Sequence, residues 1–179
     1  MIQEFLFVVI LAVCQEATLS LPTSELLPFV DDQTELPPCD DFASNATNLD
    51  QSFLFYGKEY EKLYVNSNGD ISFNEPYKRF WGLECPLKSS KAPVIAVLWA
   101  DVDTENGGKI SYRETTDPEV NKKVTRLIQS SGRAFLNFKA AWTFIATWIN
   151  VSFYGADAEG RNRRNSFQVA ISRDASGKN

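Results

Sequence analysis

Asp101-Val102-Asp103, followed by Glu105, is the densest grouping in this chain of side chains able to do chemistry. Carboxylates at i and i+2 share one face of an extended segment, so the pair could give oxygens to Ca2+ or work as an acid and a base. Ca2+ takes about six to eight oxygens, and no EF-hand spacing supplies the others. Asn66, Asn68 and Asp70 raise the same question in a short Asn- and Gly-rich stretch, where a tight turn already accounts for them. A strand end turning into solvent likewise explains Asp101, Asp103 and the Asn106-Gly107-Gly108 that follows, and is favoured over a metal site. A hydrolase built on the carboxylate pair stands behind both. The chain has no histidine, which removes Ser-His-Asp and Cys-His nucleophiles, imidazole metal ligands and the imidazole pH switch. Glycine-rich phosphate loops, GxSxG elbows and Arg-Gly-Asp are also absent from the sequence. These residues predict neither an enzyme nor a bound cofactor.

Positioning any site falls to one domain, since 179 residues with 44% hydrophobic and 13% aromatic content make a single core of ordinary size. The net charge of −5 and pI near 4.8 argue against a nucleic-acid partner. Charge is unevenly spread: residues 15–61 hold ten acidic side chains and one basic, residues 121–179 ten basic and three acidic. Two solvated faces explain this, and a basic patch with Arg161, Arg163 and Arg164 for acidic matrix polysaccharide is the functional alternative. Phe80-Trp81, beside Lys78-Arg79, is expected to lie under a loop; exposed, Trp81 would anchor a protein or sugar.

Phe5–Val13 is nine apolar residues without a break, which suits the core of a signal peptide and is too short to span a bilayer. Residues 1–20 are therefore read as a leader, although Glu4 stands where a basic residue is usual, and a buried N-terminal strand is the alternative. No second apolar run of spanning length follows, so a secreted product is expected. Loss of Cys14 with the leader leaves Cys39 and Cys85, an even count for an oxidising compartment. A bridge would close a loop of about 47 residues and contribute roughly 4 kcal/mol on the chain-entropy model; pairing outside the chain, or free thiols, are the alternatives. Asn45-Ala46-Thr47 and Asn150-Val151-Ser152 are glycosylation sequons, the second at the end of an apolar strand where access is in question.

Residues 21–50 read as an acidic, Pro-rich lead-in anchored by Leu26, Leu27 and Phe29. Strands follow at Phe53–Tyr56, and at Leu63–Phe73 as a hairpin with Asn68-Gly69 for its two-residue loop and Tyr64 opposite Phe73. Ala92–Ala100 reads as a strand buried on both faces, and Lys109–Arg113 as another. Thr116 as cap, Pro118, Glu119 and the stripe Val120, Val124, Leu127, Ile128 predict one helix over about 116–131. Phe135–Phe153 alternates as a long central strand, with Phe138, Ala140, Trp142, Phe144, Ala146 and Trp148 on one side and Thr143, Ile145, Thr147, Ile149 and Val151 on the other. Arg161–Asn165 is a turn and Ser166–Ser172 a last strand. The expectation is a mainly β fold, a sandwich or curled antiparallel sheet with one packing helix.

The blocks LYVNSNGDISF (63–73), PVIAVLWADVDT (93–104), GKISYRETTDPEV (108–120), AWTFIATWINVSFYG (141–155) and NSFQV (165–169) resemble the nidogen-like (NIDO) domain. This module is found in nidogens, certain mucins, sushi/nidogen/EGF-like proteins and, nearest in pattern, at the start of alpha-tectorin-like proteins. The order and spacing fit over roughly residues 51–172. The resemblance implies a non-enzymatic extracellular-matrix role in cell–matrix adhesion or matrix assembly, with matrix proteins or glycans as partners. It also assigns residues 51–179 to a NIDO-like domain that looks short at its C-terminus, where a missing strand would leave a sheet edge unpaired. A secreted carbohydrate- or Ca2+-binding sandwich using Asp101, Asp103 and the Arg161–Arg164 turn is the alternative.

Overall fold

The computed structural model describes residues 8–14 along the backbone and residues 25–30, 33–80 and 92–177 in full. Its strands are β1 (Val8–Cys14), β2 (Thr34–Glu35), β3 (Thr47–Phe55), β4 (Lys58–Asn66), β5 (Asp70–Phe73), β6 (Val94–Ala96), β7 (Val102–Asp103), β8 (Lys109–Thr115), β9 (Ala140–Phe153) and β10 (Asn165–Asp174). Among the described residues there is one α-helix, α1 (Pro118–Ser130), between β8 and β9. Pairing is antiparallel throughout, in two sheets: β1-β10-β9-β8-β2, with β7 on the far end of β9, and β3-β4-β5-β6. The expected β-sandwich with one packing helix is what forms.

Alternation along β9 builds both faces of the larger sheet. Trp142, Phe144, Ala146 and Trp148 point between the sheets and join Phe53, Leu63, Ile71 and Phe73 of the smaller sheet with Phe167, Val169 and Ile171 of β10. Trp148 stacks on Phe167 with ring centroids 4.9 Å apart, and its Nε1 donates to Ser67 O at 3.0 Å, so the ring is buried without an orphaned N–H. On the other face Ile145 and Ala170 meet Leu27 and the helical stripe Val120, Val124 and Ile128. The hydroxyls interleaved on that face are bonded: Thr143 Oγ1 donates to Asn121 Oδ1 (2.7 Å), and Gln168 Nε2 donates to Thr147 Oγ1 (2.8 Å). Phe138 precedes β9 and packs with the helix, so it leaves the side the alternation gave it. Val151 also changes sides and packs between the sheets. A bulge explains this: Asn150 adopts φ +51, and the β9–β10 register jumps between Asn165 opposite Val151 and Phe167 opposite Trp148.

The helix cap differs by one residue from expectation. Asp117, not Thr116, is the N-cap, and its carboxylate accepts the N–H groups of Glu119 and Val120 at 2.9 and 2.8 Å. The lead-in is woven into the fold, with Leu26 and Leu27 buried, Phe29 exposed, and Leu27 N donating to Gln168 Oε1 at 2.7 Å. Val8–Cys14, the core of the expected leader, runs along β10 with Val8 opposite Ile171 and Cys14 opposite Asn165. The 92–100 segment is not a strand buried on both faces. Only Val94–Ala96 pairs, and Leu98 is exposed, because the residues after β6 leave the sheet to wrap the hairpin loop at Gly69.

Candidate functional site

The hairpin between β4 and β5 is the structural origin of the site. Leu63, not Tyr64, lies opposite Phe73, and Asn66 lies opposite Asp70. The loop is therefore three residues, Ser67-Asn68-Gly69, and needs a left-handed backbone only at Gly69, where φ is +84. A two-residue loop would require positive φ at Asn68 as well, and Asn68 does not adopt it. A Cβ on Gly69 would stand 2.2 Å from Leu98 O, so the wrapping segment also demands glycine.

With Asn68 released from turn geometry, its buried side chain points inward and ties three segments together. Oδ1 accepts Val102 N–H at 2.9 Å; Nδ2 donates to Asp41 Oδ1 at 2.7 Å and to Lys78 O at 3.2 Å. Its carbonyl accepts Ala100 N–H at 3.1 Å. Asp41 is held at φ +46. The Asp40–Asp103 backbone bridge and the Cys39–Thr104 bonds complete the join.

This arrangement gathers Asp40, Asp41 and Asp101, with one carboxylate oxygen from each within 4.8 Å of the others. Burial, then repulsion from Asp40, Asp41 and Asp103, pushes the Asp101 carboxyl above the usual carboxylate range. Asp40 is raised by burial and by the charges of Asp41 and Asp103. Asp40 Oδ1 and Asp101 Oδ1 are sealed from solvent without a hydrogen-bond partner. Of the candidate pair, Asp101 joins this cluster and Asp103 does not. Asp103 is spent on the next turn, where Oδ1 accepts Glu105 N–H at 2.7 Å and Oδ2 accepts Asn106 Nδ2 at 2.9 Å. The sequence reading missed Asp40 and Asp41; their adjacency in Cys39-Asp40-Asp41 was its only trace, and nothing in the spacing links them to Asp101.

Asp70 lies on the hairpin itself, wholly buried, with its carboxyl pushed up to about 8 by burial despite Asn66 Nδ2 donating to its Oδ2 at 2.6 Å. Asn66 Oδ1 accepts Tyr77 N–H at 3.0 Å, which closes the loop over it.

The other expected residues lie apart. Arg161 and Arg163 are exposed, and Arg163 pairs with Glu159 at 3.2 Å. Arg164 is a clamp on the β9 bulge, donating to the carbonyls of Asn106 (2.9 Å), Gly107 (3.2 Å) and Asn150 (3.4 Å). Asn45 and Asn150 are both exposed. Cys39 is buried, its thiol pushed up chiefly by desolvation, and bonds no described cysteine; Cys85 and Trp81 lie outside the described residues. A groove of about 490 Å3 beside β8 is lined by Tyr112, Arg113, Glu114 and Asp117. Both of its acids are committed: Glu114 Oε2 accepts Asp50 N–H and Trp142 Nε1–H at 2.8 Å, and Asp117 caps α1. Among the described residues no helix is long and apolar enough to cross a membrane.

Residues 61–178 match the family model of the nidogen-like domain. Alpha-tectorin of Mus musculus is 36% identical over 155 residues, which covers 87% of this chain and 7% of that protein. Nidogen of Drosophila melanogaster is 31% identical over 158 residues, covering 85% and 11% respectively. Nidogen-2 of Mus musculus is 30% identical over 167 residues, covering 88% and 12%. The chain thus spans only 7–12% of the length of these relatives. No solved structure matches it significantly.

Proposed function

Since the chain belongs to the nidogen-like domain family, we propose that it is an exported, non-enzymatic module of the extracellular matrix, acting in cell–matrix adhesion or matrix assembly. The family match over residues 61–178 carries the reading, because nidogens and alpha-tectorin are extracellular-matrix proteins. Residues 1–20 then act as a removable leader, Cys39 pairs with Cys85, and Asn45 and Asn150 carry glycan; the exposure of both asparagines supports the last point. Matrix proteins or glycans are the partners, met by the exposed Arg161–Arg163 turn and by Trp81. The test begins with the non-reduced intact mass of material secreted by cells expressing the full chain, before and after deglycosylation. Binding of that material to decellularised matrix is then measured against salt. Loss of the leader with salt-sensitive binding weakened by Arg161→Ala/Arg163→Ala is expected. An unprocessed chain kept inside the cell, or no binding at low salt, overturns the proposal.

A Ca2+-binding sandwich is the second reading, favoured by the two sealed, partnerless oxygens of Asp40 and Asp101 beside Asp41. A rise in melting temperature with Ca2+ that disappears in Asp101→Asn supports it, and an unchanged melting curve at millimolar Ca2+ retires it.

A further inference from the structure

Removal of the leader has a consequence for the larger sheet, because Val8–Cys14 is the strand that closes the outer edge of β10. The contact is a full antiparallel ladder, seven consecutive pairs from Val8 opposite Ile171 to Cys14 opposite Asn165. Strand edges that must face solvent are ordinarily guarded by a charge, a proline or a bulge. Between Ser166 and Ser172 the β10 edge has no charged residue and no proline, and its pairing with β1 runs without a register shift. The side chains of those seven residues are buried, and Phe167, Val169 and Ile171 belong to the core between the sheets. This is an edge built to be paired.

We propose that in the exported chain, once its leader is gone, the β10 edge pairs with the β10 edge of a second copy, joining two sandwiches into one continuous antiparallel sheet. The inference rests on the export reading above. The structure itself seats an uncharged antiparallel strand in this place. A second copy is the partner that carries the same open edge in the same amount, so one two-fold contact satisfies both rows of N–H and C=O groups at once. An unrelated chain with its own sheets closed gains nothing equivalent.

Secreted material from cells expressing the full chain provides the test. Intact mass reports whether residues 8–14 are present, and light scattering over a dilution series reports the assembly. A lysine-tagged synthetic peptide of residues 8–14 then competes for the edge. The expected result is a leader-free chain at twice the monomer mass, with slow exchange also at those amides of 166–172 that do not bond β9, which the peptide converts to monomer while a scrambled peptide does not. A leader-free monomer at every concentration overturns the dimer and leaves the export reading standing. So does a dimer indifferent to the peptide in which the 166–172 amides that do not bond β9 exchange freely. A secreted chain that keeps residues 8–14 overturns leader removal, and the dimer with it, because the edge is then closed from within.

Discussion

Asn68 Oδ1 accepts the backbone N–H of Val102 at 2.9 Å, across 34 residues of sequence, and this bond fixes where Asp101 stands. The same amide donates to Asp41 Oδ1, so one side chain at a hairpin tip sets the distance between two of the three clustered acids. Acids held this close repel, and the amide provides the attachment that opposes them. Removing it strips Val102 N–H of its partner in a buried place.

Asn68→Ala is accordingly expected to destabilise the fold by about 2–4 kcal/mol, the loss of several buried bonds with a donor left unsatisfied. Urea midpoints of the variant and parent measure this. A change below about 0.5 kcal/mol would mean that water replaces the amide and that the corner is not held by Asn68.

Asp70 predicts a pH dependence of definite sign. Its folded carboxyl titrates near 8 against an ordinary value of 3.8, so between those values the folded chain holds a proton that the unfolded chain has lost. Stability contributed by this group is greatest at low pH, falls as pH rises from about 4 to about 8, and levels off above that. Asp40, Asp101 and Glu114 are shifted in the same direction and steepen the overall trend. Asp70→Asn, which keeps an oxygen for Asn66 Nδ2, is expected to unfold at higher urea than the parent at pH 8, with the advantage shrinking towards pH 4. Equal differences at both pH values would show that Asp70 is not protonated in the fold.

The strands and the helix were legible because their burial is periodic: Trp142, Phe144, Ala146 and Trp148 announce a strand, and Val120, Val124 and Ile128 a helix face. What the sequence hid depends on single backbone angles and on contacts distant in the chain. The bulge at Asn150 moves Val151 to the other face, and the hairpin gains a third loop residue because Gly69 alone supplies the positive φ. The acidic corner was out of reach, since Asp40 and Asp41 lie 61 and 60 residues from Asp101 in sequence and are joined to it through Asn68 of the hairpin loop.

The helix cap offers a direct comparison of neighbouring residues. Asp117 satisfies two N–H groups of the first turn and also places its charge at the positive end of α1, whereas Thr116 is not the cap. Asp117→Ala is expected to cost about 1 kcal/mol, and Thr116→Ala less than about 0.5 kcal/mol. Thermal or urea melts of the two variants decide it, and a larger loss at Thr116 would restore the cap expected from the Thr116-to-Glu119 spacing.

Tyr56 stands at the β3–β4 turn, where Phe55 pairs with Lys58 and leaves Tyr56-Gly57 as a two-residue loop with φ of +47 and +76. Both values belong to the mirror-image turn that favours Asn-Gly, and an aromatic residue is strained there. Tyr56 is 90% exposed, and its ring packs edge-on with that of Phe55, with centroids 4.7 Å apart, so little buried surface compensates the strain. Tyr56→Asn is expected to raise stability by about 0.5–1 kcal/mol, read as a higher urea midpoint at unchanged slope. A lower midpoint would mean that the Phe55 contact outweighs the backbone cost. A stabilised variant that also binds decellularised matrix less well would identify Tyr56 as a residue kept for contact at the expense of the turn.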